Sequence, residues 1–323
     1  MPTVIPIEAD THIEWAGFRG DEPVFALADG IAVIGGENPR RLELANGLTA
    51  IAADAEGGLV AGGEDGAVRR LGADGKIVTV RDKSGKWVDA VACGPSGVVA
   101  ISAGRKVEVV QGEKCLREYE CERSIEGMAF APKGLRLALA RYNGAELLWI
   151  NSAAPAQFLE WKGAHLGVTF SPDGKYVVTT MQENALHGWR LIDNRHMRMT
   201  GYPAKVSSIS WSAKGHWLAS SGAPAAIVWP FSGKDGPMGK PPKELGAMGR
   251  ILVTQVACHP REDIVAIGYE DGMIAAVRIA DEKVVVLRRG GAGPIAALGW
   301  DAAGRNLAFG SGAGDAGIVD MTA

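Results

Sequence analysis

The feature that most constrains this chain is an internal repeat of about 40 residues, because a short unit copied along a chain dictates stacked architecture. Three units align clearly: Glu126 to Ile150, Leu166 to Leu191 and Val206 to Phe231. Each reads as an apolar strand, a turn, a second apolar strand, a second turn and a third strand ending near a Trp. Weaker copies begin at Thr49, Val88, Thr254 and Ile295. The second turn recurs at Asp29-Gly30, Asp65-Gly66, Gly104-Arg105, Asn143-Gly144, Glu183-Asn184, Ala223-Pro224, Asp271-Gly272 and Gly314-Asp315. Asp-Gly and Asn-Gly accept the positive φ that tight hairpins demand. Short apolar runs between such turns are an all-β pattern, and no capped amphipathic helix interrupts them. The 44 glycines and 9 tryptophans suit many short strands that turn tightly and pack bulky side chains.

A unit of this size cannot bury both of its faces alone, so neighbouring units must stack. The residues that carry a known pattern are Ser171 to Lys175 (SPDGK), preceded by Ala164-His165 and followed by a strand ending in Trp189. Trp149, Trp189 and Trp229 recur at the matching place. This arrangement resembles the WD40-repeat family. The resemblance spans essentially the whole chain, is strongest in the central repeats and looks bacterial in its degeneracy. It departs from the family where an Asp should follow the Trp: Ile150, Arg190 and Pro230 stand there. The family's bracing network of polar side chains is therefore expected to be weakened, with packing carrying more of the stability.

The expected fold is all-β: residues 1–323 as a single closed β-propeller of four-stranded antiparallel blades. Eight turns argue for eight blades, with seven as the alternative. The last unit stops after a third strand at Ala316 to Met321, so the N-terminal strand at Val4 to Ala9 is expected to join that last blade and close the ring.

The chemistry-bearing residues read mostly as structural. Gly312 to Gly317 fits G-x-G-x-x-G but lies in a repeat turn with no helix to follow, where a dinucleotide site needs one. Cys93 and Cys258 fall in an apolar column and read as small core side chains. Cys115 and Cys121 flank one strand, roughly 20 Å apart if it is extended, too far to bridge. Glu8, Asp10 and His12 alternate along a strand, which favours a solvated edge over a metal site. No cofactor, metal or catalytic residue is assigned, and the chain is read as a non-enzyme.

The net charge of −3 carries no electrostatic footprint for nucleic acid. No apolar run reaches transmembrane length and no signal peptide is evident, so no membrane partner and a cytoplasmic location are expected. The expected partner is another protein. By resemblance, it would dock on the loop face around the central channel, which carries Trp87, Arg105, Arg123, Tyr142, His165, Tyr202, Lys205, Arg250 and Tyr269. The expected function is a non-catalytic interaction scaffold. The alternative is an enzyme or a metal or small-ligand binder with residues converging in the channel. Phe231 to Leu245, rich in Gly, Pro and Lys, is expected to be a surface loop between the third and fourth strands of one blade.

Overall fold

A computed structural model describes residues 3–35, 38–54, 57–82 and 85–322. Among them the elements are strands, apart from one 3-10 turn at Pro95–Gly97. β1 (Thr3–Glu8) precedes a first sheet of β2 (Ile13–Arg19), β3 (Glu22–Leu27), β4 (Ile31–Ile34) and β5 (Arg40–Glu43). The second sheet holds β6 (Leu48–Asp54), β7 (Gly58–Gly63), β8 (Ala67–Leu71) and β9 (Ile77–Asp82). The third holds β10 (Ala90–Cys93), β11 (Val98–Ala103), β12 (Lys106–Gln111) and β13 (Lys114–Glu120). A six-stranded sheet follows, with β14 (Ile125–Phe130), β15 (Arg136–Trp149), β16 (Gln157–Phe170), β17 (Tyr176–Met181), β18 (Leu186–Arg190) and β19 (Arg195–Met199). The next has β20 (Ile209–Trp211), β21 (Trp217–Ser220), β22 (Ala226–Pro230) and β23 (Lys243–Leu245). Then come β24 (Val253–Cys258), β25 (Ile264–Tyr269), β26 (Ile274–Arg278) and β27 (Val284–Arg288). The last sheet is β28 (Ile295–Trp300), β29 (Asn306–Ser311) and β30 (Asp315–Asp320), with β1 paired to β30 from Thr3↔Asp320 to Glu8↔Asp315.

The architecture is a β-propeller of antiparallel sheets, and the N-terminal strand joins the last sheet as the sequence implied. The sheets number seven, the alternative count, where eight separate ones were expected. The reason lies in β15 and β16, each 14 residues long. Leu137 to Arg141 of β15 pairs with β14, while Tyr142 to Leu147 pairs with β16. The second part of β16, His165 to Phe170, pairs with β17. Two four-strand repeats thus run in series within one sheet, and the eight repeats of the sequence occupy seven sheets.

The chain forms two compact units, residues 1–42 with 201–323, and residues 43–200. In the first unit, one core gathers Ile7, Ile13, Phe25, Leu27 and Val33, and another Leu245, Val253, Ile267, Tyr269 and Val277. In the second, Val60, Val88, Val99 and Ile101 form one core, and Phe170, Val177 and Trp189 belong to another. Inner strands are covered on both faces: every residue of β17 is buried, Thr179 and Thr180 included. Each fully buried large side chain contributes roughly 1.5–3 kcal/mol of transfer free energy. Sheets approach so closely that a Cβ on Gly268 would overlap Ile295, and one on Gly310 would overlap Ile13. Glycine is required there by space alone.

The first turn of several repeats is fixed by one acceptor side chain. Ser171 Oγ accepts from the N–H groups of Lys175 (3.1 Å) and Tyr176 (3.0 Å). Ser212 Oγ accepts from Trp217 N–H (3.1 Å), and the Asp301 carboxylate from Arg305 N–H (2.8 Å) and Asn306 N–H (3.1 Å). His259 fills the same place: Nδ1 accepts from Arg261 and Glu262 N–H at 3.2 and 3.0 Å, and Nε2–H donates to Gly304 O at 3.0 Å. The expected surface loop does lie between β22 and β23. It folds on itself, with Lys240 Nζ donating to Ser232 O at 2.7 Å and Phe231 packed edge-on against Trp211.

Candidate partner-binding face

The nine residues singled out for docking separate into two groups. His165, Tyr202 and Tyr269 are buried, at 0%, 7% and 0% exposure, and are removed from any docking surface. Each has an internal polar partner that draws it inward. His165 Nε2 faces the Trp161 carbonyl at 2.9 Å, which can only accept, so Nε2 carries the proton and Nδ1 accepts from Thr179 Oγ1–H at 2.7 Å. Burial lowers the His165 pKa, which keeps the ring neutral. Trp229 Nε1–H donates to Tyr202 OH (2.6 Å), Tyr202 to Ser220 Oγ (2.7 Å), and Ser220 to Ile227 O (2.9 Å). Tyr269 OH donates to Gly246 O. Burial pushes both tyrosine hydroxyls up to about 12. The expected weakening of polar bracing is therefore corrected: these residues form braces that the family pattern did not reveal.

The other six are exposed, and four of them, Trp87, Arg105, Arg123 and Tyr142, belong to the unit of residues 43–200. Hydrogen bonds tie their loops to one another in order. Asp89, two residues after Trp87, accepts from Gly104 N–H through its carboxylate. Cys121 N–H donates to Arg105 O at 2.8 Å, and Ile125 N–H to Gly104 O at 3.1 Å, which fixes the Arg123 loop beside the Arg105 turn. Arg141 reaches Glu122 at 3.7 Å and donates to Tyr142 O at 3.0 Å. Trp87, Arg105, Arg123 and Tyr142 therefore follow one another along a continuous ridge. Trp87 is 61% and Tyr142 53% exposed, large values for rings of this size. Lys205 and Arg250 are exposed in the other unit.

Beside the ridge lies a groove of about 530 Å³, lined by Lys86, Ile101, Lys106, Glu108, Tyr119 and Glu120 among others. Two of its three carboxylates are engaged, Glu108 with Arg81 at 3.0 Å and Glu120 with Arg105 at 2.7 Å, and Glu118 is the third. Beneath it, Glu146 accepts from Tyr119 OH (2.7 Å) and from Arg141 Nε (2.5 Å), with Cys121 Sγ at 3.6 Å. Burial, and then the Glu146 charge, raise the Cys121 thiol to about 12 and raise the Tyr119 hydroxyl strongly. Neither is a nucleophile near neutral pH.

Among the described residues no three His, Cys, Asp or Glu side chains converge as a metal site. Asp10 is instead paired with Arg41 at 2.9 Å, and His12 lies 3.5 Å from Glu14. The four cysteines are free, and burial pushes Cys93 and Cys258 to about 12, as inert half-buried thiols. The G-x-G-x-x-G stretch forms the β29–β30 turn, held by Ser311 Oγ accepting from Asp315 N–H at 2.9 Å. Among the described residues no helix is long and apolar enough to cross a membrane.

Two family descriptions match the sequence: "WD domain, G-beta repeat" over residues 194–229, and "Anaphase-promoting complex subunit 4 WD40 domain" over residues 256–323. These two matches, on a chain folded as a β-propeller, support a place among the WD40-repeat propellers. Solved structures share its fold at low identity. A chain in the crystal structure of the Mitotic Checkpoint Complex is 12% identical, with a TM-score of 0.68, over 85% of this chain and 90% of that one. The computationally designed Ika8 protein is 18% identical, with a TM-score of 0.77, over 97% of each chain. No curated protein matches the sequence. WD40 propellers are commonly interaction scaffolds, and fold alone does not assign a partner. Sequence reasoning missed the Tyr119–Cys121–Glu146–Arg141 network altogether, because its members lie at the end of β13 and on β15 with nothing in their spacing to link them.

Proposed function

We propose that this chain is a non-catalytic scaffold whose protein partner docks on the ridge of Trp87, Arg105, Arg123 and Tyr142. The observation that carries this reading is that consecutive repeats expose Trp, Arg and Tyr side chains from loops tied to one another by hydrogen bonds. Trp, Tyr and Arg are the residues that supply most hot-spot energy at protein interfaces. The adjoining groove is lined in part by the paired carboxylates Glu108 and Glu120 and by the Tyr119 hydroxyl, whose proton burial and Glu146 hold in place. The reading takes residues 1–323 as one binding domain, located in the cytoplasm, with no nucleic acid or membrane as partner.

The test is affinity capture from the source cells with the wild type, with Trp87→Ala/Arg123→Ala/Tyr142→Ala, and with Ile192→Ala as a surface control. Ile192 is 91% exposed and off the ridge. The expected result is a protein held by the wild type and the control and lost by the triple variant. Equal capture by all three would overturn the reading.

A further inference from the structure

A second groove, in the unit of residues 1–42 and 201–323, has a different chemistry. Its volume is about 340 Å³. Ile264, Val285 and Trp300 give it an apolar wall, and Arg278, Lys283 and Arg305 stand exposed around it. Glu262 alone among its described lining residues is a carboxylate. The two carboxylates of the β26–β27 turn are already engaged, Asp281 with Arg278 at 3.5 Å and Glu282 with Lys243 at 2.8 Å. Lys283 and Arg305 have no carboxylate partner among the described residues. A third cation, Arg261, is held at the rim by donating to Ala302 O at 3.2 Å.

β27, the end strand of its sheet, contributes Val285 to the groove. Val284, Val285 and Val286 on that strand are 38%, 44% and 39% exposed. A row of solvent-facing valines on an end strand is a ready template for an added chain, and proteins usually blunt such edges with charge. Here Lys283 and Arg305 have no carboxylate partner among the described residues and outnumber the one lining carboxylate, Glu262, so the groove favours a partner of negative charge. His259 lines it with both ring nitrogens engaged, so it offers no general base there.

We propose that this groove is a docking site for an extended acidic peptide carrying an apolar side chain. The apolar side chain rests on Val285, Ile264 and Trp300, and flanking carboxylates meet Lys283 and Arg305. This site is separate from the ridge of the other unit and does not depend on it.

The experiment is fluorescence anisotropy on the full chain with a labelled octapeptide alternating Glu and Leu. Control peptides replace Glu by Lys, or Leu by Gly. Saturable binding of the Glu/Leu peptide is expected, with at least about tenfold weaker binding of each control and weakening by salt. Lys283→Glu/Arg305→Glu is expected to weaken binding at least about tenfold, while Arg289→Glu, exposed but outside the groove, leaves it within about twofold. Val285→Asn supplies a second variant that removes apolar contact without touching charge, and it is expected to weaken the Glu/Leu peptide. Absence of saturable binding, or equal weakening by Arg289→Glu, or indifference to both groove variants, would overturn the proposal. The Trp87/Arg123/Tyr142 triple variant binds the peptide normally if the two sites are distinct, so the outcome here does not decide the ridge.

Discussion

Two neighbouring repeats solve one packing problem with different chemistry. In the repeat spanning β16 to β19, Thr179 stands two residues beyond the Val177–Trp189 pair and donates to His165. In the repeat spanning β20 to β23, Ser220 stands two residues beyond the Leu218–Trp229 pair and accepts from Tyr202. A hydroxyl at the equivalent place therefore meets an imidazole in one case and a phenol in the other. The phenol completes a one-way chain from Trp229 through Tyr202 and Ser220 to Ile227 O, in which every hydroxyl both donates and accepts. The imidazole belongs to a cluster. His187 is fully buried and stacked on Trp161 at 4.1 Å, with His196 at 5.3 Å and Trp189 at 4.8 Å, and both its ring nitrogens lack a hydrogen-bond partner. One brace is satisfied and insensitive to acid. The other is titratable.

The strongest way to break the comparison is Trp189→Ala. Trp189 is 2% exposed and packs on both His165 and His187. Loss of about 3–5 kcal/mol is expected, read from urea unfolding by fluorescence. A smaller loss would mean that the histidine cluster holds itself together.

Acid should separate the two braces next. Burial, with His196, His165 and Arg198 nearby, lowers the His187 pKa from 6.5 to about 3. The unfolded chain thus binds a proton that the folded chain refuses. Stability from this group is complete above about pH 6.5 and falls as pH drops toward 3, by on the order of a few kcal/mol. His187→Phe keeps a ring against Trp161 and removes the titration. Unfolding free energies at pH 7.5 and 4.5 should differ less in that variant than in the wild type, and an unchanged difference would assign the acid sensitivity to other groups.

Tyr202→Phe comes third. It leaves Trp229 N–H without its acceptor in a buried place, at a cost of about 1–3 kcal/mol. The loss should be the same at pH 5 and pH 8, because the Tyr202 hydroxyl titrates only near 12. The smallest effect belongs to the turn that precedes the histidine brace. Lys175→Ala removes a well-exposed ion pair to Asp173 and should leave stability almost unchanged, whereas Ser171→Ala, which takes the Oγ acceptor from Lys175 and Tyr176 N–H and leaves Lys175 N–H with Asp173 alone, should cost about 1–2 kcal/mol.

The repeat pitch, the turns and the pairing of β1 with the last sheet were legible because strand alternation and Asp-Gly turns act locally and leave marks in every copy. The merging of two repeats into one sheet was not legible. Whether backbone pairing runs on through Asn143-Gly144 and Gly163 depends on how the strands bend, and the 40-residue pitch is the same in either case. The ridge was half legible for a related reason. A Tyr or His at a loop position can serve as a contact or as an anchor, and Tyr202, Tyr269 and His165 became anchors because acceptors and hydroxyls from other strands lay within reach. Trp87 and Tyr142 have no such internal partner and remain outside.

The pairing of β1 with β30 also sets a timetable. Thr3 meets Asp320 only after roughly 300 intervening residues have been made, which is the most non-local contact the chain contains and the kind that slows folding. During synthesis β1 emerges first and waits, while the sheets between form from neighbours in sequence. Until it docks, β30 presents a bare edge. Molecules caught at that stage can lend β1 to another copy's β30 in place of their own, so exchange of the first strand between copies is the characteristic assembly error open to this protein.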